Sequence, residues 1–398
     1  MPGMEVFGKE EKKEVMDVLE TGALFRYGHD NIRKGMWKAR EFEQEVARFT
    51  GAKYVHAVSS GSAAVSVMMA AAGIGHGDEV IVPPFTFVAP VESVFLAGAI
   101  PVFSGIDESL CLDPSEIVKK ITPRTRAVLV VHMCGAAADI DGILKVCRQH
   151  NLVLLEDCGQ AMGAFYMNKS VGLYGTAGSF SFDYFKIATC GEGGAIITDS
   201  EEIYRKIEQI ADHGHTHEGN NRGMEEHHFM GFNYRINELS AAVGLAQMRK
   251  LPDVIEKNKK NKEYLKSRLG DLKNISFRKL PDADGDSATF LNFFMPSSED
   301  AARAIEEFGM QKLDGITYWY KNMYHYINQW SHIKNISYPA KLSAHHFNRP
   351  QDYHNPDLGR TENLMSRMIS VAIKCSWREE DLGQYSEKVS QVLKKIVS

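Results

Sequence analysis

The stretch Ser179-Phe180-Ser181-Phe182-Asp183-Tyr184-Phe185-Lys186, followed by Cys190-Gly191-Glu192-Gly193-Gly194 and then Ala195-Ile196-Ile197-Thr198, decides how the rest of the chain reads. An apolar strand ends, a glycine-rich loop presents one lysine, and a second apolar strand begins. A lysine between two buried strands is costly unless its amine has chemistry to perform. An amine held in an apolar, partly desolvated pocket is suited to forming a Schiff base.

Short apolar runs recur on either side of this loop, at 54–58, 79–82, 100–103, 127–131, 152–155, 178–182 and 195–198, with helical patterns at 62–72, 86–97 and 140–150. Runs that are apolar throughout, without alternation, indicate strands covered on both faces. The expected fold class is therefore α/β, a mostly parallel seven-stranded sheet sandwiched by helices. Phe42, Val46 and Phe49 place a further amphipathic helix before it, ending near Gly51. Residues 235–251 read as one helix and Pro252 as the start of the next, which divides the chain into a large domain at 1–250 and a smaller C-terminal α/β domain at 251–398. The smaller domain takes strands at 275–277, 289–295 and 369–373 and helices near 300–308 and 379–396, whereas 318–360, rich in aromatics, His and Asn, shows no period.

The chain has 398 residues, 44% hydrophobic and 24% charged, with a formal net charge of -5, so no nucleic-acid surface is expected. The start lacks the basic and apolar regions of a signal peptide, and the longest near-apolar stretch, 63–75, is too short to span a bilayer. A cytoplasmic protein without a membrane partner is expected. The six cysteines show no C-x-x-C pair, which points to reduced thiols rather than disulfides or a zinc ribbon.

Three elements precede the lysine. Ser59-Ser60-Gly61-Ser62-Ala63-Ala64 follows a strand and opens a helix, offering free amides and a hydroxyl to an anion, or else simple packing. Phe87, in Pro83-Pro84-Phe85-Thr86-Phe87-Val88, lies just past a strand end, where it could stack on a planar ligand or fill core. Glu156 and Asp157 leave the end of an apolar strand; Asp157 either caps a turn or meets a protonated ring nitrogen. Taken together, an anion nest, a stacking ring, an acid and a loop lysine describe a pyridoxal 5'-phosphate site.

With these motifs the chain resembles the DegT/DnrJ/EryC1/StrS family of sugar aminotransferases, within fold type I of the pyridoxal phosphate enzymes. Ser60-Gly61-Ser62-Ala63-Ala64 is similar to the family's phosphate turn, with Ser62 in place of the usual Thr, which implies Gly61, Ser62 and Ala63 as cofactor contacts. Further motifs imply Phe87 on the ring, Asp157 on the pyridine nitrogen, Gln160 near the ring hydroxyl, Ser181 on the phosphate and Lys186 as the lysine that carries the aldehyde. Gly231-Phe232-Asn233-Tyr234-Arg235 resembles a segment whose Asn reaches the phosphate of the neighbouring subunit, implying a homodimer with shared sites through Asn233. Relatives that dehydrate their sugar carry His in place of the lysine, so Lys186 implies transamination.

Phe25-Arg26-Tyr27, Val131-His132-Met133-Cys134-Gly135, Asp212-His213-Gly214-His215-Thr216-His217 and Tyr318-Trp319-Tyr320 resemble one subgroup, which aminates the C8 aldehyde of an octulosonate with L-glutamate for bacterial lipopolysaccharide. An acidic aldehydo sugar and glutamate both bring carboxylates, and Arg26, His215 and Arg222 are the expected substrate contacts. No metal is expected, since this chemistry needs none. The His- and acid-rich run at 212–228 reads as a loop closing over an acidic sugar rather than as a metal site. A nucleotide-linked keto sugar as acceptor, and a non-catalytic sugar sensor, remain the alternatives.

Overall fold

All seven apolar runs form one sheet, because each presents buried side chains to both faces. In the computed structural model, which describes residues 2–219, 221–270, 272–348 and 350–397, these strands are β1 (Tyr54–Val58), β2 (Glu79–Val82), β3 (Ile100–Phe103), β4 (Thr125–Val131), β5 (Val153–Asp157), β8 (Ala177–Ser181) and β9 (Gly194–Thr198), with a two-residue hairpin β6 (Phe165–Tyr166) and β7 (Lys169–Ser170) outside the sheet. Their order is β1-β9-β8-β5-β4-β2-β3. Only β9 runs antiparallel, to both β1 and β8. Along β9, Ala195 and Ile197 face one core cluster and Ile196 the other, so both faces are covered by helices. Each such side chain contributes roughly 1.5–3 kcal/mol on burial.

The register matters for function. The antiparallel start of β9 sets Gly194 opposite both Val58 and Ser181, and Asp157 pairs with Ser179. Loops leaving the carboxyl ends of β1, β2, β5 and β8 therefore meet at one edge of the sheet, the place where open α/β sheets bind ligands.

The expected helix break at Pro252 is not there. Glu238–Leu269 is one 32-residue helix with Pro252 inside it. An interior proline costs about 3 kcal/mol. The exposed Pro252 is tolerated because Met248, Leu251 and Val254 on the opposite face are buried in the large core. The helix thus carries the chain across position 250 without a linker. Beyond it, β10 (Ser276–Phe277), β11 (Phe290–Phe294), β12 (Ile316–Thr317) and β13 (Met368–Ala372) form an antiparallel sheet in the order β10-β11-β13-β12, covered by helices Ser298–Met310 and Glu379–Val397.

Residues 318–360 contain short helical turns, and Trp319, Tyr326, Trp330 and Tyr353 insert into the core of the large sheet. Gln351 pairs through its side-chain amide with the amide (2.5 Å) and carbonyl (3.0 Å) of Phe103 on the edge strand β3. Its aperiodicity follows from this role: the segment wraps a surface of fixed shape instead of presenting one face. No helix among the described residues is long and apolar enough to cross a membrane.

Candidate active site

At the end of β1, Ser60 caps the helix Gly61–Ala71, its hydroxyl accepting from the Ala63 amide at 3.1 Å. That bond occupies the amide of Ala63 and leaves those of Gly61 and Ser62 as the open donors of the first turn. A side chain at Gly61 would place its Cβ 2.6 Å from the Cβ of Ser181, and one at Gly194 would lie 2.2 Å from the Ser60 carbonyl. Only hydrogen fits at these two positions, so the helix start and the Ser181 hydroxyl form one small cup. A cup lined by amides and a hydroxyl at a helix N-terminus suits a phosphate.

Strand alternation separates the two acids of β5. Glu156 points away from the cup and accepts from the amides of Gly172 (2.8 Å), Tyr174 (2.7 Å) and Gly175 (2.6 Å) and from His132 Nε2 (3.1 Å). Among the described residues, His132, Glu156 and Cys158 are the one group spaced for a metal ion. The His132 Nδ1 already accepts from Ala138 at 3.1 Å and the Glu156 carboxylate is fully bonded, so the trio is a structural knot. Asp157, 8% exposed, has the Gly159 amide at 2.8 Å and the Ser179 hydroxyl at 3.5 Å. Burial pushes its pKa up, against the pull of Gly159, Lys186 and His132. A buried carboxylate held this loosely suits a cationic ring nitrogen, whose charge would reverse that shift.

Lys186 sits where the loop turns back, its amide bonded to the Asp183 carbonyl at 3.1 Å and its Nζ 3.6 Å from the Asp183 carboxylate. The loop is fixed from behind: a Cβ on Gly3 would lie 2.8 Å from the Lys186 carbonyl. Phe87, in the loop after β2, is 41% exposed and lies 6.3 Å from Tyr324 and 5.5 Å from His325 between centroids. Gln160 accepts from the Cys134 amide through Oε1 at 3.3 Å, which turns its amide nitrogen away from that backbone. The residues present fit pyridoxal phosphate at each of its groups: cup, ring face, ring nitrogen and aldehyde.

His325 was not legible in the sequence. The Thr86 amide donates to its carbonyl at 3.0 Å, and its Nδ1 contacts Asn322 Oδ1 at 2.9 Å, which makes Nδ1 the donor and Nε2 the basic nitrogen. Burial, and then the charge of Lys186, push its pKa down to about 3, so it is neutral. The signal lay in the aromatic run around Tyr318-Trp319-Tyr320, whose Trp319 ring is 4.5 Å from His325.

The expected substrate contacts Arg26, Arg222 and His215 each have partners within the chain. Arg26, 8% exposed, donates to the Ala57 carbonyl and to Glu43, both at 2.7 Å, and is a buried structural cation here. Arg222 forms a bidentate pair with Asp212 at 2.8 and 3.1 Å and lies over the rings of Phe25 and Tyr27. Arg235 donates to the same carboxylate. Burial raises the Asp212 pKa, but the two guanidiniums outweigh it and hold the group below the usual range. His215 Nδ1 contacts Glu225 at 3.0 Å. Asn233 is exposed, and the adjacent Tyr234 carbonyl accepts from the Ser59 amide at 2.7 Å, tying this segment to the phosphate turn.

The model of the DegT/DnrJ/EryC1/StrS aminotransferase family matches residues 6–390. The chain is 32% identical over 400 residues to the spore coat polysaccharide biosynthesis protein SpsC of Bacillus subtilis, covering 98% of this chain and 96% of that one. It is 37% identical over 254 residues to GDP-perosamine synthase of Vibrio cholerae, covering 62% and 68%. Among solved structures, the ntda protein of Bacillus subtilis with bound cofactor PMP superimposes with a TM-score of 0.82 at 25% identity, covering 99% of this chain and 84% of that one. A lysine, an acid and a phosphate cup at one sheet edge, within a chain that matches along almost its whole length, place this protein in the DegT/DnrJ/EryC1/StrS aminotransferase family of pyridoxal phosphate enzymes.

Proposed function

We propose that the protein moves the amino group of L-glutamate to the C8 aldehyde of 3,8-dideoxy-8-oxo-manno-octulosonate, giving 8-amino-3,8-dideoxy-manno-octulosonate for lipopolysaccharide, in the cytoplasm and as a homodimer. When bound, pyridoxal phosphate supplies an electron sink conjugated to the bond that breaks. Gly61, Ser62 and Ser181 bind its phosphate, Phe87 orients the ring, and Asp157 holds the proton on the ring nitrogen. Lys186 Nζ takes the α-proton of glutamate and returns it across the same face, and in the second half-reaction it works in reverse on C8 of the sugar.

The observation that carries the transfer is a loosely held, buried Asp157 at the end of β5 and Lys186 in the loop after the neighbouring β8, near enough for its charge to act on Asp157. The acidic acceptor is supported by the two guanidiniums of Arg222 and Arg235, which converge on Asp212 and which a substrate carboxylate would share. The stretches singled out for this subgroup also meet, with Tyr27 stacked on His217 at 4.4 Å. The homodimer is supported by apolar side chains left exposed beside Lys186 and Asn233, namely Phe185 (65%) and Phe232 (67%). GDP-perosamine synthase, among the relatives, keeps a nucleotide-linked keto sugar as the second reading. The test is transfer from 15N-glutamate to a panel containing the oxidised octulosonate and GDP- and UDP-linked keto sugars. Label in the octulosonate is expected; label confined to a nucleotide sugar would overturn this acceptor.

A further inference from the structure

A cleft of about 370 Å³ opens between the second half of the helix Glu238–Leu269 and the strands β10 and β11, and none of Lys186, Asp157 and Phe87 lines it. Its wall includes Arg278, 7% exposed. Arg278 Nε donates to the Ser109 carbonyl at 2.7 Å, and Nη1 to those of Met133 (2.7 Å) and Cys134 (3.4 Å). Its Nη2 meets the Cys111 sulfur at 3.6 Å, a weak acceptor, and among the described residues no carboxylate lies within ion-pair distance of the guanidinium. A buried cation without a counter-ion is expensive.

Two neighbours bear on it. Asn292, 2% exposed, donates through Nδ2 to Ser370 Oγ at 2.6 Å, while its Oδ1 has no hydrogen-bond partner. Lys266 is half-buried with its amine 5.8 Å from the Phe277 ring centre. Lys262, by contrast, is already paired with Asp286. The remaining acids of the cleft, Glu263 and Asp284, are exposed at its rim, where Lys259 bonds the Asp284 carbonyl at 2.6 Å.

We propose that this cleft is a second ligand site, for a small hydroxylated anion whose carboxylate or phosphate sits between Arg278 and Lys266 and whose hydroxyl donates to Asn292 Oδ1. Its volume lies in the range of small-molecule pockets, roughly 300–1,000 Å³. Charge-assisted bonds supply the affinity and the orphaned acceptor supplies the demand for a hydroxyl.

The test is calorimetric titration of the holoenzyme, whose phosphate cup is filled, with inorganic phosphate, gluconate and, as the neutral control, glucose. Saturable binding of phosphate or gluconate without binding of glucose is expected, and the tighter of the two identifies the anionic group. Lys266→Gln should weaken both about tenfold and leave transamination unchanged. Asn292→Leu should weaken gluconate about tenfold and phosphate less than twofold. Arg278→Gln removes a buried clamp and can unfold the domain, so Lys266 and Asn292 are the positions that decide. Glucose binding as well as gluconate, no response to Lys266→Gln, displacement by saturating glutamate, or no binding of either anion would each overturn the site.

Discussion

Asp157 and Asp212 are both buried carboxylates at the ends of regular elements, yet their surroundings differ in kind. Asp157 has one close amide and is pushed towards neutrality by burial, whereas Asp212 holds two guanidiniums and stays charged. In the cofactor cup, polar groups are left wanting partners that a ligand supplies. In the segment around Asp212 they have found theirs within the chain. Residue type alone does not distinguish a binding group from a structural one; the presence or absence of an internal partner does.

The largest effect that would break this contrast is at the loop lysine. Lys186→Ala should lower transfer from labelled glutamate about 10,000-fold or more and abolish the cofactor's visible absorbance, and activity within tenfold of the parent would remove Lys186 from the chemistry. Asp157→Asn should leave cofactor bound while lowering kcat about 100- to 1,000-fold; an unchanged rate would make Asp157 a turn cap.

Stability should move in opposite directions at the two acids. Without cofactor, the raised pKa of Asp157 means the unfolded chain ionises first, so its contribution disfavours the folded state as pH rises above the ordinary carboxylate value. Cofactor-free Asp157→Asn should therefore melt higher than the parent at pH 7 and converge with it near pH 4; a lower melting temperature at pH 7 would contradict this. Asp212 has the reverse sign: its stabilisation is present above the unfolded pKa and lost as pH falls through its lowered folded value. Asp212→Asn should cost about 3 kcal/mol in denaturant unfolding at pH 7, because two cations lose their partner. The smallest change is Arg222→Ala, about 1 kcal/mol or less, since Arg222 is 32% exposed and Arg235 remains on the carboxylate. A larger loss would make Arg222 the dominant partner.

The strands and the cup were legible because their causes are local: runs apolar on both faces, a capping serine, glycines where another backbone passes. Pro252 was misleading because its local penalty is outweighed by burial along the rest of the helix. The partners of Arg26, the Ala57 carbonyl and Glu43, were not legible either, because only the fold brings them to it. His325 is marked in the sequence only by the aromatic run before it, and its place beside Thr86 and Phe87 is set by the fold.

The bridge between Phe85 and Tyr326, with the Thr86–His325 bond beside it, has a consequence for how the protein is made. Gly61, Ser62, Asp157, Ser181 and Lys186 all precede residue 325 in the chain by more than 130 positions. The long loop must close before the wall beside Phe87 exists, and such non-local closures come late. A nascent chain ending with the helix Glu238–Leu269 lacks Tyr324, His325 and Tyr326, so the wall beside Phe87 is completed in the last stage of folding.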